Sequence, residues 1–103
     1  MDPVIACSTS VFSPAQRERW NQLRIRWREG IREIRELPDG YAFRLELDGP
    51  TLPEIAEWIA LERLCCPFLA FALELEPAGG PAWLRLTGRA GVKDVLRAGI
   101  SPR

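Results

Sequence analysis

Two tetrapeptides set the framework of this chain. Ser13-Pro14-Ala15-Gln16 and Thr51-Leu52-Pro53-Glu54 each place a hydroxyl residue three positions before Gln or Glu, with proline in the first turn. In a capping box the hydroxyl accepts the third backbone N–H, and the longer side chain returns a bond to the cap. Proline in that turn removes an N–H that has no helical partner anyway. The boxes therefore predict helix starts at 14 and 52. After the first, Trp20, Leu23 and Trp27 recur at helical spacing as far as Gly30, a C-terminal glycine. After the second, the helix runs to about Cys66, because Pro67 disfavours helical geometry at the residue before it.

Between and beyond the helices the pattern changes to alternation. Leu37-Pro38-Asp39-Gly40-Tyr41 signals a turn, followed by a strand from Tyr41 to Leu47 with Tyr41, Phe43, Leu45 and Leu47 on one face. Ile31 to Leu37 has helical apolar spacing, yet the turn after it favours a β-hairpin across Pro38-Asp39-Gly40. Phe68 to Glu76 and Ala82 to Thr87 read as strands joined by Pro77-Ala78-Gly79-Gly80-Pro81. Gly88-Arg89-Ala90-Gly91 opens a last helix bearing Val92, Val95 and Leu96, and Val4-Ile5-Ala6-Cys7 supplies a short first strand. The order β-α-β-β-α-β-β-α predicts an α+β, ferredoxin-like split β-α-β sandwich, an antiparallel sheet with helices on one face. A chain of 103 residues forms one such domain, 1–103. In this topology strand one lies antiparallel beside strand four, so Cys7 approaches Cys65-Cys66 at one sheet edge.

Composition narrows the chemistry. The absence of histidine removes Ser-His and Cys-His nucleophile pairs and His-containing zinc sites. Net charge is zero and the pI about 6.3, so no global field draws the chain to nucleic acid or anionic lipid. Arg17, Arg19, Arg24, Arg26, Arg28, Arg32 and Arg35 interleave with Trp20 and Trp27, as on an RNA-facing helix. Glu18, Glu29 and Glu33 dilute that charge, and the tryptophans follow the core period, so a solvated face is preferred. The N-terminus has no signal-peptide pattern and no apolar run is long enough to cross a bilayer. A cytoplasmic protein with no membrane partner is expected, its odd count of three cysteines held as thiols.

The adjacent pair Cys65-Cys66 is the conspicuous chemistry. Neighbouring Cα atoms stand ~3.8 Å apart, below the usual disulfide range, so the two do not readily bond each other. A vicinal dithiol instead suits a soft metal or metalloid ion, with Cys7 available as a third ligand. On a helical wheel Leu52, Ile55, Ala56, Ile59 and Cys66 share a face, with Glu62 at its border and Cys65 about 100° away. Leu61 and Leu64 fall on the opposite side and suggest a dimer partner. The pair sits at the negative end of a helix, which raises a thiol's pKa and disfavours a nucleophile. Glu62 and Arg63 are supporting residues, either as an ion pair or as tuners of the thiols.

Glu62-Arg63-Leu64-Cys65-Cys66-Pro67-Phe68 resembles the E-R-x-C-C-P-F signature of a family of small bacterial proteins. The similarity extends to Leu37-Pro38-Asp39-Gly40-Tyr41 and Leu84-Arg85-Leu86-Thr87-Gly88. The resemblance implies a bacterial, intracellular origin and carries no activity with it. The functional expectation is thus a soft-ion-binding protein that is not an enzyme. The alternative is a homodimeric interaction or scaffold domain whose cysteines only pack, since a free cysteine behaves as a small hydrophobe. A thiol enzyme ranks last, for want of histidine.

Overall fold

A computed structural model describes residues 7–100. Both capping boxes form. Ser13 Oγ accepts Gln16 N–H at 3.2 Å and starts α1, Pro14–Glu29. Thr51 Oγ1 accepts Glu54 N–H at 3.3 Å and starts α2, Leu52–Cys65. Arg26 and the Thr51 backbone hold the Glu54 carboxyl down at about 2. Between the helices lies the expected hairpin, β1 (Ile31–Leu37) and β2 (Gly40–Leu45), joined through Pro38-Asp39. The chain continues with β3 (Ala70–Leu75), β4 (Ala82–Thr87) and α3 (Val92–Ile100).

The sheet is antiparallel throughout, in the order β1-β2-β4-β3. Its architecture is the expected α+β one, with the helices packed over one face. The register pairs Tyr41 with Leu86, Phe43 with Leu84 and Leu45 with Ala82, which puts all six on that face. They form one core with Leu23 and Trp27 of α1, Ile55 and Trp58 of α2, and Val92 and Leu96 of α3. The opposite face is a polar lattice in which Arg44 bridges Glu33 and Glu46 while Arg85 pairs with Glu74. The Arg35 guanidinium lies over the Trp83 ring, 4.6 Å from its centroid, and covers the large apolar surface there.

One part of the expected topology differs. Residues 4–6 of the expected first strand lie outside the described residues, and Cys7 is not in a strand. The strand that pairs with β3 is β4, which lies centrally between β2 and β3. The reason is local: a short Pro-Ala-Gly-Gly-Pro connection makes β3 and β4 a hairpin, with Ala78 at φ 60° and Gly79 at φ 72° in its turn. Gly40 has a different role, since a Cβ there would run into the Leu86 carbonyl on the adjacent strand. The strands are also shorter than expected: β2 ends at Leu45 and β3 begins at Ala70.

Two ion pairs fasten α1 to α2: Arg19 to Glu57 at 2.7 Å and Arg26 to Glu54 at 2.8 Å. They tie α1, which carries Trp20, to the helix that carries Glu62 and Cys65.

Candidate metal centre

The last turn of α2 builds the site. Ile55, Trp58 and Cys65 are its buried residues, and Glu62 is partly buried in the same stripe. This stripe is rotated from the one expected. Trp58 is the largest side chain on the helix and turns inward, whereas Ala56 is exposed. Leu61 packs against the core rather than facing a partner, which corrects its place in the dimer expectation. Leu64 is 53% exposed.

Cys66 leaves the helix. As its C-cap it adopts φ −127° and ψ 69°, while its N–H still reaches the Glu62 carbonyl at 2.7 Å. Helical-wheel angles therefore cease to apply after Cys65, and the two neighbouring side chains turn inward together, 1% and 0% exposed. Phe12 and both cysteines form a small second core, with Trp20, Leu61, Phe68 and Leu69 packed around it.

Cys7 joins this cluster across 59 residues of sequence. The Ser8 N–H donates to the Cys65 carbonyl at 2.9 Å, which lays the N-terminal segment against the helix end. Cys7 and Cys66 are disulfide-bonded, with Cα atoms 4.6 Å apart, inside the ordinary range. The expectation of three thiols is thus replaced, in this structure, by one disulfide and one free thiol, Cys65. The expected meeting of the three cysteines holds, as does the absence of a bond between neighbours: Cys65 Sγ stands 3.6 Å from Cys66 Sγ.

Glu62 takes part directly. Its Oε1 accepts the Trp20 indole N–H at 2.8 Å and the Cys65 thiol at 3.3 Å. Burial pushes the Glu62 carboxyl above its ordinary value, against the lowering effect of those two hydrogen bonds and of the Arg24 charge. The Cys65 thiol is pushed up to about 12, first by burial and then by the charge and hydrogen bonding of Glu62. A nucleophilic role for Cys65 is therefore disfavoured, in line with its place at a helix C-terminus. Arg63 is exposed and stands outside the cluster.

The ligand-bearing atoms of Cys7, Glu62, Cys65 and Cys66 all lie within 4.8 Å of one another. Tetrahedral bonds of ~2.3 Å to sulfur would hold two sulfurs roughly 3.8 Å apart. The Cys65–Cys66 separation of 3.6 Å is close to that, so once the disulfide is reduced the donor set fits a soft ion. Glu62, expected only as a supporting residue, joins the cluster through its carboxyl; its i, i+3 relation to Cys65 on α2 is the sequence signal for that. The hydrogen bond from Trp20, 42 residues away, had no sequence signal.

Among the described residues, no helix is long and apolar enough to cross a membrane. No protein-family model, curated protein or solved structure matches this chain.

Proposed function

We propose that the protein binds one soft metal or metalloid ion through reduced Cys7, Cys65 and Cys66, with Glu62 as an oxygen donor. The observation that carries this reading is the convergence of three sulfurs and a carboxylate, from segments far apart in sequence, within 4.8 Å. As anions these groups would repel one another, most strongly at the buried Cys65 and Cys66. Without a cation, burial and the neighbouring Glu62 carboxyl therefore keep the proton on the Cys65 thiol. A bound cation reverses the balance, and the thiol protons pass to the buffer as sulfur–metal bonds form. The Cys7–Cys66 disulfide excludes the ion. A dithiol reductant restores two thiols and leaves as its own disulfide, so loading belongs in a reducing compartment such as the bacterial cytoplasm. The E-R-x-C-C-P-F resemblance supports that placement.

Native mass spectrometry of the reduced chain with zinc, cadmium, mercury and arsenite tests the reading. One ion per chain is expected, with protons displaced and with binding lost in the double variant Cys65→Ser, Cys66→Ser. Absence of any adduct, or its persistence in that variant, would reject it. A second reading is favoured by the disulfide itself: a small interaction domain in which the cysteines only staple and pack, with exposed Leu64 at a homodimer contact. It predicts that reduced protein takes up no ion.

A further inference from the structure

Between α1, α2, α3 and the sheet lies a cavity of about 430 Å³, within the range of small-molecule sites. Its walls are chiefly aromatic and aliphatic, including Trp27, Trp58, Phe43, Leu69 and Ile34. Cys7 and Glu62 also line it, so the sulfur cluster borders an apolar chamber. Ile34 on edge strand β1 is 45% exposed and marks a route in from solvent. A bare inorganic ion makes no use of such a chamber; an ion that carries an aromatic group fills it.

Resting on the ion-binding reading above, we infer that the cargo is a mono-organoarsenic(III) species, its aromatic substituent in this cavity and its arsenic held by Cys7 and Cys66. These two sulfurs come close enough to bond each other, so after reduction they can chelate a single arsenic. The step is an exchange without change of oxidation state. Two arsenic–oxygen bonds of an arylarsonous acid break and two arsenic–sulfur bonds form. Each thiol proton leaves with a hydroxide as water.

The test compares phenylarsonous acid with methylarsonous acid on the reduced full chain, using 2,3-dimercaptopropanol as the reference dithiol. Both compounds place arsenic between two thiolates and differ only in the organic group. Burying a phenyl rather than a methyl group should make the protein's phenyl preference exceed that of the reference about 10- to 100-fold. Ile34→Trp, which fills the cavity from its exposed side, should abolish the excess while methylarsonous acid still binds. Val95→Trp, at a second lining position, serves if Ile34→Trp does not fold. A preference equal to the reference, or one that survives the filling variant, overturns the inference and leaves ion binding standing. If neither arsenical nor cadmium nor arsenite binds, the ion-binding reading itself fails.

Discussion

The Glu62 oxygen that accepts the Trp20 indole N–H at 2.8 Å is the same atom that accepts the Cys65 thiol at 3.3 Å. One carboxyl thus links α1 to the sulfur cluster, and under the proposed function its protonation couples stability to ion binding. Burial raises its folded-state pKa above the unfolded value. The resulting cost is absent at pH below the unfolded pKa, grows as pH rises past it, and is complete above the folded pKa. Glu62→Gln keeps an acceptor oxygen but cannot ionise. It should raise the melting temperature of the metal-free protein at pH 7 and leave it nearly unchanged at pH 3. Ion affinity should fall about tenfold or more, as for other groups that hold a ligand set in place. Thermal melts at the two pH values and ion titrations of the reduced chain read both effects.

Cys65 gives the alkaline counterpart. Its thiol is moved from 9.0 to about 12, so unfolded chains lose this proton first as pH rises. Stability should decline between about pH 9 and pH 12, and Cys65→Ala should flatten that slope. Buried and protonated, Cys65 should also resist alkylation at pH 8. Intact mass after iodoacetamide should show no label on the native oxidised chain and a single label once it is unfolded without reductant.

The disulfide closes a loop of 59 residues. Loop-closure entropy assigns such a link about 4 kcal/mol, with measured values commonly of 2–4 kcal/mol. Cys7→Ser should lower the urea-unfolding free energy by roughly that amount under oxidising conditions. Measured in excess reductant, the variant and the parent should have nearly the same midpoint.

Gly40 tests the sheet that carries the site. An alanine Cβ there would meet the Leu86 carbonyl and approach Thr87 Cα to 2.8 Å, at the end of the β2–β4 pairing. Gly40→Ala should cost about 2 kcal/mol or more, as overpacking against backbone does. Gly49→Ala, with nothing within 4 Å of the new methyl group, is the control and should change stability little. Chemical denaturation of the two variants side by side checks the contrast.

The elements legible in the sequence were those specified by neighbours. Ser13 with Gln16, and Thr51 with Glu54, settle their helix starts within four residues. Pro38-Asp39-Gly40 resolves the ambiguous stretch from Ile31 in favour of a hairpin. Three features were hidden for physical reasons. The rotation of α2 follows the bulk of Trp58, which an aliphatic stripe does not reveal. Cys66 departs from helical geometry, so the 100° divergence from Cys65 never develops. The choice of Cys7 as covalent partner depends on distance in space and on redox state, neither of which spacing encodes. Gly40 was conspicuous as a turn residue, but its hydrogen atom is needed for the close approach of Leu86.

The span from Cys7 to Cys66 also imposes an order on synthesis. A ribosome delivers Cys7 first and then 57 residues without another cysteine before Cys65 follows. Through most of translation the nascent chain offers a single, weakly chelating thiol. The cluster is completed only when the end of α2 emerges, so truncated products that stop before it lack the donor set on which the proposed ion binding depends.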